Sequence, residues 1–199
     1  AGAIAVASVP PIYYGFKEAE VYRHFSEVVN AVSIPVFVYN NPKTTGVMVT
    51  AEMLGRLVEI GVAGVKDSSF DILLFHSYLR TIEKEGFIPI IGSESLIMPA
   101  VALGAHASVS GLANALPEPV GELYRATVAG NLAEAARLQT RVSSMRDIMH
   151  LAPTLPMIQA ILRRRGVNAG HPRLPFVPPD KALVDKAVRC LEGLGVSLA

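Results

Sequence analysis

Tryptophan is absent from the 199-residue sequence, and cysteine occurs once, as Cys190. A single cysteine excludes an internal disulfide framework and fits a reducing, cytoplasmic setting. Charge of one sign is also lacking. Eighteen Lys and Arg stand against 17 Asp and Glu, a formal net charge of +1, which asks for neither nucleic acid nor an anionic membrane. The longest apolar stretches, such as 96–105, fall far short of the roughly 20 residues of a membrane span. No basic segment, apolar run and small-residue cleavage site follow one another in signal-peptide order. The histidines at 24, 76, 106, 150 and 171 lie far apart, without HExxH or any paired ligand spacing, so no metal site is expected. GxGxxG after a strand, Walker A and GxSxG are all missing, which removes the usual dinucleotide, nucleotide and serine-hydrolase signatures.

What remains is apolar for a chain with no span. Hydrophobic residues make up 51% and charged residues 18%, with a mean hydropathy of +0.39. Strands buried on both faces produce that composition. The first 115 residues alternate short runs of Val, Ile and Ala with amphipathic helical stretches. The runs predict strands at 3–8, 35–40, 62–66, 88–92 and 107–110. Between and after them the 3.6-residue period predicts helices at 18–31, 50–59, 71–85, 95–103 and 118–129. Val21, Phe25, Val28 and Val29 share one face of the first, and Thr50 and Asp71 are placed as N-caps.

Five consecutive βα units imply an α/β fold with a parallel sheet, either a barrel or an open doubly wound sheet. After residue 130 the pattern becomes purely helical, over 131–150, 155–165 and 180–193. A Pro- and Gly-rich ordered connector lies at 166–179. Two regions follow, a βα region at 1–130 and a helical region at 131–199. The run Arg163-Arg164-Arg165 ends a helix, where cations complement the dipole.

Polar residues collect at the C-terminal ends of the apolar runs: Ser8, Tyr39-Asn40, Lys66-Asp67-Ser68-Ser69, Gly92-Ser93-Glu94 and Ser108-Val109-Ser110. That edge carries the active site in barrels and open parallel sheets alike, which favours an enzyme over a binding module. Lys66 closes an apolar run, where desolvation favours a neutral amine that attacks carbonyl carbon. The plain alternative is a strand-end lysine paired with Asp67 or a helix carboxylate. Tyr39 ends another run and is placed to shuttle protons, or else to serve as a core tyrosine with its hydroxyl at the rim.

The combination is more specific than any single residue. Tyr39-Asn40-Asn41-Pro42-Lys43-Thr44-Thr45-Gly46 resembles the YNxPxxTG motif of the dihydrodipicolinate synthase and N-acetylneuraminate lyase family of class I pyruvate aldolases. Gly64-Val65-Lys66-Asp67-Ser68 resembles its lysine motif at the right separation. Gly92-Ser93, the stretch Leu103-Gly104-Ala105-His106-Ala107-Ser108-Val109-Ser110, Asn131-Leu132-Ala133-Glu134-Ala135 and Arg173-Leu174-Pro175 continue the match in order. The resemblance implies a (β/α)8 TIM barrel, here lacking its first three strands, followed by a C-terminal helical bundle and assembled as a homotetramer. It implies that Lys66 forms an imine with pyruvate or a 2-oxo acid and that Tyr39 relays protons. Gly92 and the Val109 backbone would line the pyruvate pocket. Asn41, Thr44 and Ser68 would face the second substrate, an aldehyde, with Tyr13 reaching a neighbouring subunit. Neither metal nor organic cofactor is implied.

Two departures bear on function. The family's carboxylate-binding GTTGE-type turn would precede the first strand and is not in this sequence. The arginine with which dihydrodipicolinate synthases grip their aldehyde's carboxylate is replaced by Thr44, next to Lys43, and a neutral residue is no substitute for a guanidinium fork. The Lys-Asp-Ser order at Lys66 is similar to that of 2-keto-3-deoxy sugar-acid and 4-hydroxy-2-oxoglutarate aldolases. The leading expectation is therefore a Schiff-base lyase of 4-hydroxy-2-oxo acids. A dihydrodipicolinate synthase acting on aspartate semialdehyde comes second, and a truncated, non-catalytic paralogue third.

Overall fold

A computed structural model of the chain describes residues 2–198. The chain divides into two compact units, Ala1–Val109 and Ser110–Ala199. The change from βα units to helices alone read in the sequence falls later, near residue 130, because the helix Pro117–Val128 groups with the helices that follow it.

The first unit is built on five parallel strands: β1 (Val6–Ser8), β2 (Val36–Asn40), β3 (Val62–Asp67), β4 (Ile88–Ile91) and β5 (Ala107–Ser108). Their spatial order is β1-β2-β3-β4-β5, with every pair parallel. This order decides between the two α/β architectures. A doubly wound sheet reverses direction at a switch point and places helices on both faces. A monotonic order with right-handed crossovers sends every helix to the same face. The helices behave accordingly. Helix α1 (Glu18–Ala31) packs on α3 (Ala51–Glu59), α3 on α4 (Ile72–Thr81), and α4 on α5 (Ile97–Ala102).

The two faces of the sheet differ as this arrangement requires. Val36, Val38, Asn40, Val65, Asp67 and Ile91 point to the helices and are buried. Each fully buried Val or Ile contributes on the order of 1.5–3 kcal/mol. On the opposite face Phe37, Tyr39, Lys66 and Ile90 are half-buried, and Ala7 and Ile88 are exposed. A one-residue bulge adjusts the register between β2 and β3. Val36 pairs with Val62, but Phe37 pairs with Gly64. A Cβ on Gly64 would lie 2.4 Å from the Phe37 ring and 2.3 Å from the Ile88 carbonyl oxygen, so only glycine lets the strands meet there.

The expected caps are present. Thr50 accepts from the Met53 amide at 3.1 Å, and Asp71 accepts from Leu73 and Leu74 at 2.9 and 3.0 Å. A single helical turn not read in the sequence, α2 (Pro42–Thr45), follows β2. It closes at Gly46, whose φ of 74° lets its amide donate to the Pro42 carbonyl.

The second unit contains α6 (Pro117–Val128), α7 (Leu132–Met149), α8 (Thr154–Arg164) and α9 (Lys181–Gly193). Helix α7 packs on α6, α8 and α9 around Leu123, Leu138, Val142, Met145, Met149, Met157, Ile161 and Leu191. The arginine run does more than face solvent. Arg164 pairs with Asp185, and Arg165 forks onto Glu118 and donates to the Ala115 carbonyl. The connector at 166–179 is ordered, tied by Gln159 to Ala169 and by Arg163 to Gly170. No helix of the described residues is long and apolar enough to cross a membrane.

Candidate active site

The register between β2 and β3 aligns Tyr39 with Lys66 and Asn40 with Asp67. Alternation along a strand then separates these four residues by face. Tyr39 and Lys66 lie on the open face, whereas Asn40 and Asp67 turn to the helices. The Lys66 amine sits 3.7 Å from the centre of the Tyr39 ring. Among the described residues it makes no ion pair with a carboxylate, so the plain reading of a lysine paired with Asp67 does not hold. Asp67 is engaged on the other side of the sheet.

The phenol of Tyr39 is tuned by its neighbours. Partial burial pushes it up, but the Lys66 amine, the Ser68 hydroxyl and the Asn41 amide outweigh that and hold it below the ordinary phenol range. The Asn41 Nδ2 lies 3.5 Å from the phenolic oxygen. A phenol that ionises more readily is a better proton relay near neutral pH.

The loops bring further residues to the same edge. Ser68 is buried and donates its amide to the Asn40 carbonyl at 2.8 Å. Gly92 donates its amide to the Asp67 carbonyl at 2.6 Å. A Cβ on Gly92 would lie 2.0 Å from the Ser68 hydroxyl, so glycine is required where β4 ends beside Ser68. Val109 donates its amide to the Ile91 carbonyl at 2.9 Å, which sets it against the residue preceding Gly92. Thr44 is exposed and bonds the Asn41 carbonyl at 3.1 Å. Lys66, Tyr39, Asn41, Ser68 and Gly92 thus form one cluster, with Thr44 and Val109 joined to it through neighbours. Tyr13 stands apart. It is 89% exposed at a positive φ of 82°, and its ring meets the edge of Tyr14.

A set of buried partners was not singled out in the sequence. Asn40 donates from Nδ2 to the Asp67 carboxylate at 2.7 Å and to the Tyr78 hydroxyl at 3.1 Å, and its Oδ1 accepts the Val49 amide at 3.1 Å. Tyr78 in turn donates to the Val49 carbonyl. The second oxygen of Asp67 accepts the Ser69 hydroxyl at 2.7 Å and the Ser69 amide at 3.3 Å. Burial pushes the Asp67 carboxyl up, against these hydrogen bonds, and raises the Tyr78 phenol as well. The available signal was strand alternation: two polar residues one step past Tyr39 and Lys66 had to face the helices together. Glu94 is a further buried carboxylate, at the start of the turn after β4. No cluster of His, Cys, Asp and Glu suited to a metal ion occurs among the described residues.

Comparison with known proteins places the chain in a family. The profile of the Dihydrodipicolinate synthetase family matches residues 1–193. A 4-hydroxy-tetrahydrodipicolinate synthase of Archaeoglobus fulgidus is 33% identical over 196 residues, covering 98% of this chain and 67% of that protein. The crystal structure of a putative dihydrodipicolinate synthetase from Pseudomonas aeruginosa superposes with a TM-score of 0.90 at 33% identity, over 97% of this chain and 67% of that one. A 2-keto-3-deoxygluconate aldolase variant of Sulfolobus solfataricus superposes with a TM-score of 0.87 at 25% identity, over 96% and 65%. The chain therefore spans about two thirds of the length of the relatives it matches. With the two motifs, the all-parallel sheet and a match along nearly its whole length, this chain belongs to the dihydrodipicolinate synthetase family.

Proposed function

We propose that the protein is a Schiff-base lyase that cleaves a 4-hydroxy-2-oxo acid to pyruvate and an aldehyde. The observation that carries the reading is the Lys66 amine set 3.7 Å over the Tyr39 ring, with no carboxylate paired to it among the described residues, on the open face of the sheet. The Lys66 amine adds to the keto carbon, and water leaves with a proton supplied by the Tyr39 hydroxyl, forming a protonated imine and a Tyr39 phenolate. The bond between C3 and C4 then breaks as the C4 hydroxyl yields its proton to the Tyr39 oxygen. The electron pair flows to the imine nitrogen and leaves an enamine. Protonation at C3 and hydrolysis release pyruvate and restore Lys66. Gly92 and the Val109 backbone would bound the side of the site where pyruvate sits. Asn41, Thr44 and Ser68 would stand toward the aldehyde, with Tyr13 available to a neighbouring subunit of a homotetramer.

The monotonic sheet with helices on one face supports a further part of the reading. The five βα units would be the last five of an eight-stranded barrel, whose interior is the half-exposed face holding Phe37, Tyr39, Lys66 and Ile90. A cytoplasmic setting fits the single cysteine.

A second reading, condensation of pyruvate with aspartate semialdehyde, is favoured by the Archaeoglobus fulgidus synthase. Thr44 speaks against it, since its hydroxyl is spent on the Asn41 carbonyl and supplies no positive charge. The third reading is a non-catalytic paralogue. The test is pyruvate release, followed by a coupled dehydrogenase, from a panel of 4-hydroxy-2-oxo acids, in parallel with pyruvate consumption in the presence of aspartate semialdehyde. Release from the panel that is abolished in Lys66→Ala is the expected result. Consumption only with the semialdehyde would replace the first reading with the second, and neither reaction would favour the third.

A further inference from the structure

We propose that Asp67 is a positioning residue for the amine and phenol pair, acting through Asn40 across the sheet; this rests on the reading of Lys66 as the reactive amine.

The argument begins with register. Asn40 and Asp67 are the cross-strand pair directly after Tyr39 and Lys66. Both are fully buried, and their side chains meet at 2.7 Å on the helix side. Every donor around the carboxylate points at an acceptor. Asn40 Nδ2 donates to Oδ1, and the Ser69 amide and hydroxyl donate to Oδ2. A carboxylate is the one group of this size that accepts at both oxygens, so an amide in its place sets NH2 against a donor on one side.

The same network fixes three other segments. Asn40 Oδ1 holds the Val49 amide, which closes the loop carrying Asn41 and Thr44. Tyr78 fastens that loop to α4 through the Val49 carbonyl. Ser69 Oγ accepts the Asp71 amide at 3.1 Å, and Asp71 caps the same helix. The strand ends bearing Tyr39 and Lys66 are thereby locked to one another from behind. The buried polar groups are paired in full, and such a network specifies one geometry at the cost of being intolerant of partial loss.

Reductive alkylation tests the proposal. The full chain is labelled at one pH with formaldehyde and cyanoborohydride, and separately with pyruvate and cyanoborohydride. Lys66 labelling is read by peptide mass spectrometry against exposed Lys181 in the same sample. The variants are Asp67→Asn, Asn40→Asp and the exchange Asn40→Asp with Asp67→Asn, which restores the hydrogen bond in the opposite sense. Thermal unfolding shows which variants are folded. A displaced amine is expected to lower Lys66 labelling relative to Lys181 by about tenfold or more in either single variant, and the exchange is expected to bring it back to within about threefold of the parent. With pyruvate the limiting rate per folded molecule, with the folded fraction taken from the thermal transition, should fall while the half-saturating concentration stays, whereas loss of stability alone lowers the rate only in proportion to the folded protein lost. Unchanged Lys66 labelling in folded Asp67→Asn overturns the proposal, as does an exchange variant that is folded yet not restored. If pyruvate labels no variant while the formaldehyde pattern holds, the proposed function fails and the positioning role stands.

Discussion

Tyr39 and Lys66 illustrate how one step along a strand separates chemistry from support. Each is the outward member of a pair whose inward member, Asn40 or Asp67, is buried against helices. The Tyr39 phenol is held below its ordinary range by the amine, hydroxyl and amide around it, burial notwithstanding. A spectrophotometric titration should therefore show one phenol ionising ahead of the others, and that step should vanish in Tyr39→Phe. The same substitution keeps the ring beneath the Lys66 amine but removes the proton relay. It should lower turnover by about 10²–10⁴-fold while a slow adduct at Lys66 still accumulates. An undiminished rate would show that the phenol takes no part.

At the scale of elements, caps and sheet order explain why the edge is built as it is. Asp71 caps α4 and lies next to Ser69, which binds Asp67, so the helix start and the buried network share one turn. Asp71→Ala should cost about 1 kcal/mol, typical of a lost N-cap, seen as a lower urea midpoint with an unchanged slope. No shift would mean that the cap hydrogen bonds contribute nothing net. The elements themselves were largely legible in the sequence. The near-continuous Val and Ile runs placed all five strands, and Thr50 and Asp71 marked their helices. The turn Pro42–Thr45 was hidden inside the motif, although Pro at its start and Gly46 after its end are its signals. The stretch predicted as helix to residue 85 ends at Thr81, because Ile82 adopts an extended conformation. The meeting of Tyr39 and Lys66 at one edge was legible because both close apolar strand runs. Alternation placed Asn40 and Asp67 on the helix face, but their bonds to each other and to Tyr78 were not legible, because they join residues 27 and 38 positions apart that only cross-strand register and helix packing bring together.

At the scale of the molecule, strand order carries the architecture, and the open face carries the proposed chemistry. A sheet that runs β1 to β5 without reversal, with helices on one face, leaves Phe37, Tyr39, Lys66 and Ile90 on the other. Composition spoke for a covered parallel sheet but was silent on the order of its strands. That order excludes a doubly wound sheet, and alternation along the chain does not encode it. The arginine run shows the same limit. Its position at a helix end was readable, while the Arg165 fork onto Glu118, 47 residues away, depends on how α6 and α8 meet. The central claim is the amine. Incubation with pyruvate, reduction with cyanoborohydride and peptide mapping should place a pyruvate-derived mass on the Lys66 peptide, absent in Lys66→Ala. A folded protein that takes up no adduct, or takes it up equally on exposed lysines and in the Lys66→Ala variant, would contradict the account.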